Sequence, residues 1–139
     1  MTPKEQEFRD IFLAEASEQF EELNQLFTQL EKKHTDSKAI DAIFRIMHTL
    51  KANAAALGFS KIAEFSHLLE DIFSTIKQGK IVLNDKIFND LFRANDTIGA
   101  FLEEVKTGET DKVKYKGLKT KLEVLLRNSQ KQPEEETTE

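Results

Sequence analysis

The 139-residue chain contains no cysteine. Disulfides, thiolate metal sites and cysteine nucleophiles are excluded together, and the absence suits a reducing compartment. Only 5 glycines and 2 prolines occur, at the edges of long periodic segments, which is helical punctuation. No apolar run is long enough to span a bilayer, and Met1-Thr2-Pro3-Lys4-Glu5 has no apolar signal core. The chain is therefore expected to be cytoplasmic, with no direct membrane insertion. No basic cluster stands out against a formal net charge of -5, so no nucleic-acid surface is expected. No Gly-rich phosphate loop is present either, so the chain has no nucleotide cradle of its own.

What remains is a set of amphipathic segments. The first runs from about Lys4 to Lys33, with a Thr2/Glu5 capping box, Pro3 in its first turn and a stripe of Phe8, Ile11, Phe12, Phe20, Leu23, Phe27 and Leu30. The second, roughly Lys38 to Leu57, carries Ile40, Ile43, Met47, Leu50, Ala54 and Leu57 and stops at Gly58. Ser60 is the expected cap of the third, whose stripe is Ile62, Phe65, Leu69, Ile72, Phe73 and Ile76 and whose end is Gly79. Asn84 or Asp85 opens the fourth, which closes near Gly108. A fifth starts at about Asp111, with Val113, Leu118, Leu122 and Leu125. Ile81-Val82-Leu83 is too short and isolated to nucleate a sheet. Short connections between long helices favour antiparallel neighbours. The expected fold is all-α, an antiparallel up-down four-helix bundle with an additional C-terminal fifth helix. It occupies residues 1–130, and the acidic residues 131–139 form a tail or the start of a linker.

The stretch Ile46-Met47-His48-Thr49-Leu50-Lys51-Ala52-Asn53-Ala54-Ala55 holds the candidate site. At about 100° per residue, His48 lies roughly 130° from the centre of the second segment's apolar stripe and faces away from the core. Lys51 falls between His48 and the core edge, and Ala52 and Ala55 share the outward side. On the third segment, Glu70 lies roughly 110° from its stripe, with His67 three residues before it. Counted from the Gly58 turn, His48 is about 10 residues back and Glu70 about 12 onward, so at about 1.5 Å per residue they stand at similar heights. A carboxylate could then hold one imidazole nitrogen as N–H and leave the other with its lone pair outward. On this reading His48 accepts and donates a phosphoryl group, Lys51 neutralises its oxygens, Glu70 orients the ring and His67 polarises Glu70. By spacing alone the same residues also fit a solvated helix face, with His67 and Glu70 an exposed pair. A metal site built from His48, His67 and Glu70 lacks the second Glu-x-x-His that di-metal bundles use. His34, in a polar turn, has no part in this reading.

The segment from Ala42 through Lys51-Ala52, then Leu57-Gly58-Phe59 and His67-Leu68-Leu69-Glu70, resembles histidine-containing phosphotransfer (Hpt) domains, most closely the N-terminal Hpt domains of chemotaxis histidine kinases, the CheA subclass. The resemblance takes in Phe8-Arg9-Asp10-Ile11-Phe12-Leu13-Ala14-Glu15-Ala16 and extends to the acidic tail. It implies that His48 is phosphorylated, with Lys51, His67 and Glu70 hydrogen-bonded around it. The implied partners are a histidine kinase catalytic domain and response-regulator receiver domains. No cofactor is implied in this domain, ATP and Mg being used by the kinase domain in trans or further along the chain. In place of the family's usual glycine after the lysine stands Ala52, one methyl on the approach face. The domain is expected to be a substrate and carrier rather than a complete enzyme; the alternative is a non-catalytic helical interaction module.

Overall fold

The computed structural model describes residues 2–130; residues 131–139, where the acidic tail was expected, lie outside the described residues. Five helices follow in order: α1 (Pro3–Lys32), α2 (Ser37–Ala56), α3 (Ser60–Lys77), α4 (Asp85–Thr107) and α5 (Lys116–Ser129). No strand occurs among the described residues. α1 packs on α2 and α4, and α3 packs on the same two helices, which closes a four-helix ring; α5 lies against α3 and α4. Cross-links show the antiparallel register. Lys77 meets Asp41 and Glu70 meets His48 between α3 and α2, while Asn95 Nδ2 donates to Asn24 Oδ1 between α4 and α1.

The apolar stripes become the core. Phe27, Phe65, Phe73 and Phe101 are almost wholly buried, and Phe27 makes an edge contact with Phe73 at 6.0 Å between ring centroids. Two members of the α1 stripe do not join them. Phe8 and Ile11 are 48% and 56% exposed. α1 has 30 residues and α2 only 20, about 45 Å against about 30 Å of helix. Phe8, one turn before Phe12, lies where α1 runs past the end of α2; Ile11 stands at the height of buried Phe12 but roughly 120° round the helix from the buried stripe, and so faces solvent.

The α2–α3 turn sets the site's register. Phe59 N–H donates to Ala54 O and Gly58 N–H to Ala55 O, the paired bonds of a Schellman ending. Gly58 takes φ +80, a left-handed conformation that only glycine enters without strain. The phenyl of Phe59 then packs on Phe12 at 5.0 Å. This places Phe59, not Ser60, at the N-cap of α3, and no side chain caps that helix. Ser60 is already its first residue, because the turn is one residue tighter than the sequence suggests.

α5 also begins later than expected, at Lys116. Glu104 Oε2 accepts from the backbone N–H of Lys112 and of Val113, at 2.8 and 3.1 Å. Tyr115 packs edge-on against Phe65 and Phe101. These long-range contacts hold residues 111–115 as a loop. α4 opens as anticipated, with Asn84 Oδ1 accepting from Ile87 N–H at 2.8 Å. Asn84→Ala is expected to cost about 1 kcal/mol of stability and Asn84→Asp much less. Urea midpoints of the two variants check this, and equal midpoints would remove the cap from the account.

Candidate functional site

α2 presents His48 because its core face is filled. Ile43, Met47, Leu50 and Ala54 are buried to within 1%, which fixes the helix rotation and leaves the His48 side chain 61% exposed. Ala52 and Ala55 flank it on the exposed side, and each ends in a methyl. Glu70 reaches the same place from α3. Its side chain is only 10% exposed, wedged at the α2–α3 seam.

The two oxygens of Glu70 are divided between two partners. His48 Nδ1 lies 2.5 Å from Oε2, and Lys51 Nζ lies 2.7 Å from Oε1. An ionised carboxylate only accepts, so Nδ1 carries the hydrogen and donates it. That choice fixes the tautomer: the lone pair of the neutral ring sits on Nε2, on the exposed side. Burial pushes the Glu70 carboxyl up, but the Lys51 ammonium and the His48 N–H outweigh it and hold the group below its ordinary value. Glu70 is therefore an anion at neutral pH.

Not every residue singled out in the sequence joins this contact. His67 is 59% exposed and its Nε2 faces Asp71 Oδ2 at 3.4 Å, one turn along its own helix, rather than Glu70. Lys51 is engaged with the Glu70 carboxylate, and its ammonium has further donors to offer. One neighbouring cluster went unread. Asp41 accepts from Arg45 Nε at 2.8 Å and from Lys77 Nζ at 2.7 Å, and Lys77 lies over the Phe44 ring at 4.4 Å. Arg45 and Lys77 hold the Asp41 carboxyl below its ordinary value. The i,i+4 spacing of Asp41 and Arg45 was the available signal. The cluster lies one to two turns before His48 along α2, and Asp41 already pairs with both of its cations.

No group of three or more histidine, aspartate or glutamate side chains suited to a metal ion occurs among the described residues. The larger clefts lie elsewhere, around Tyr115 and around Phe59. His48 stands on an open helical face.

The fold and site together define a helical bundle that carries one oriented, outward imidazole. The chain belongs to the Hpt domain family, whose model matches residues 7–108. That span takes in all but the first four residues of α1 and the whole of α2 to α4, and leaves α5 outside it. Among curated relatives, the chain is 27% identical over 128 residues to the chemotaxis protein CheA of Listeria monocytogenes, covering 92% of this chain and 20% of the relative. It is 30% identical over 118 residues to that of Bacillus subtilis, covering 85% and 18%. To that of Borreliella burgdorferi it is 31% identical over 121 residues, covering 87% and 14%. The chain thus spans a fifth or less of the length of these relatives. No described helix is long and apolar enough to cross a membrane.

Proposed function

We propose that the chain is the histidine phosphotransfer module of a chemotaxis-type two-component relay, with His48 as the phosphoryl carrier. The Nε2 lone pair attacks the γ-phosphorus of ATP held with Mg by a histidine kinase catalytic domain. An N–P bond forms, the bond to the bridging oxygen breaks, and ADP leaves. The ring then bears positive charge, which Glu70 balances through Nδ1–H. In the second transfer a receiver-domain aspartate attacks the phosphorus, the N–P bond breaks and the electron pair returns to Nε2. The observation that carries this reading is the buried Glu70 bound to Nδ1, with Nε2 on the exposed side.

The nearest neighbours have roles in that sequence. Lys51 keeps Glu70 ionised, and its remaining donors can meet the phosphoryl oxygens. Ala52 and Ala55 leave room for the in-line approach that phosphoryl transfer requires. His67 faces Asp71 at 3.4 Å and takes no direct part in the transfer. This domain takes no cofactor of its own. Its partners are a kinase domain and receiver domains, with no nucleic acid and no inserted membrane segment, and it works in the cytoplasm. The competing reading, a helical interaction module without chemistry, leaves the His48–Glu70 contact without a purpose.

Incubation with a histidine kinase catalytic domain and radiolabelled ATP should yield an acid-labile, base-stable phosphoprotein, and a receiver domain should then remove the label. Failure to incorporate label would favour the interaction module. Lys51→Ala is expected to slow incorporation roughly 3- to 10-fold, the factor that about 1 kcal/mol of transition-state stabilisation gives. Initial rates at saturating kinase measure it, and an unchanged rate would confine Lys51 to packing.

A further inference from the structure

His34, in the α1–α2 turn, is placed unlike an ordinary surface histidine. Its Nδ1 lies 3.0 Å from Leu30 O and its Nε2 lies 3.0 Å from Asp85 Oδ1. The ring stacks on Phe88 of α4, with centroids 5.4 Å apart and planes within 18°. Leu30 is in the last turn of α1, where carbonyls have no helical N–H to accept from. Asp85 is the first residue of α4. The ring therefore bridges the end of one helix and the start of another, at the pole of the bundle opposite the Gly58 turn.

Both groups that face the ring nitrogens are acceptors. A neutral imidazole has one N–H, so one of its nitrogens would turn a lone pair toward an oxygen 3.0 Å away. Only the imidazolium satisfies both. The charged groups around it act in the same direction: the Leu30 carbonyl first, then Asp85 from α4 and Glu31 from α1 hold the imidazole above its ordinary pKa against a small effect of burial. On the α2 side, Asp36 directs its carboxylate to Ala39 N–H and caps that helix. A positive charge at the C-terminal end of α1 is also favoured by the helix dipole.

We propose that His34 is a protonation-dependent latch, closed as imidazolium between the Leu30 carbonyl and Asp85, and opened when the ring loses a proton. The sign follows from linkage. The folded-state pKa lies above the unfolded value, so the stabilisation is fully present below the unfolded value and is lost as pH rises through the folded one. Deprotonation leaves one N–H for the two acceptors, so the link from the α1–α2 corner to the exposed Asp85 carboxylate is the one lost, while the stack on Phe88 remains.

Long-range 1H–15N NMR of the isotopically labelled chain, from about pH 5 to about pH 9, reads each imidazole separately. The His34 signals are identified by their loss in His34→Gln. Both His34 nitrogens should carry hydrogen at the acid end, and the midpoint should fall to lower pH in Asp85→Asn. Thermal unfolding over the same range should give wild type an advantage over His34→Gln at low pH that shrinks as the ring deprotonates, leaving only what the stack on Phe88 contributes. A neutral ring throughout, a midpoint unmoved by Asp85→Asn, or a pH-independent difference in Tm would each overturn the latch.

Discussion

Replacing His48 by glutamine is expected to abolish phosphorylation and leave the bundle intact. The histidine side chain is 61% exposed and contributes nothing to the core stripe of α2. A glutamine amide can still donate to Glu70 Oε2, so the buried carboxylate keeps a partner and the desolvation cost of an unpaired charge is not incurred. What is lost is the nucleophile: an amide nitrogen has no available lone pair. Incorporation of label should therefore fall to background, while circular dichroism and the urea midpoint stay near those of the parent. Label persisting at a substantial rate would place the acceptor elsewhere, on His67 or His34. A collapsed fold would mean that the imidazole carries structural weight that its exposure does not suggest.

Glu70→Gln is the second large effect. The carboxylate orients the ring, selects the tautomer with Nε2 free, and balances the charge that appears on the ring in transfer. A neutral amide accepts the Nδ1 hydrogen only through its oxygen, and it offers an N–H that favours the opposite tautomer. Partners that orient a functional histidine are typically worth about 10- to 100-fold when removed, and that is the loss of initial rate expected here. Stability should change far less than for deletion of a core residue, because glutamine keeps the volume. Glu70 is nevertheless buried, so Lys51 is left facing a neutral group and a modest fall in the urea midpoint should accompany the slower rate. Equal rates for the two proteins at saturating kinase would remove Glu70 from the chemistry.

Much of this site was legible in the sequence, and the reasons are local. The 3.6-residue period of Ile43, Met47, Leu50 and Ala54 sets the rotation of α2, so the outward direction of His48 followed from helical geometry. Gly58 marks the turn, and counting from it brought Glu70 to the height of His48. What spacing left undecided was the choice between equal neighbours. His67 sits three residues from Glu70 and four from Asp71, both within reach on one helix surface, and it faces the second. The salt bridge from Lys51 to Glu70 joins two helices, so spacing along either one does not record it.

The misjudged positions share a physical origin in contacts distant along the chain. Phe8 fits the α1 period, but its burial depends on how far α2 reaches, which no local pattern records. Val113 fits the α5 stripe, yet Glu104 from α4 claims its N–H and keeps that stretch in a loop. His34 looked idle in its polar turn because Asp85, 51 residues away, supplies half of its setting.

The identity of the phosphorylated atom bears most sharply on the mechanism. Combined 31P and 15N NMR of the 15N-labelled, phosphorylated chain would show which imidazole nitrogen carries the phosphorus. The expected result is a single N–P linkage at Nε2 of His48, with Nδ1 still protonated. Phosphorus on Nδ1, the nitrogen that Glu70 occupies, or on another side chain would contradict it.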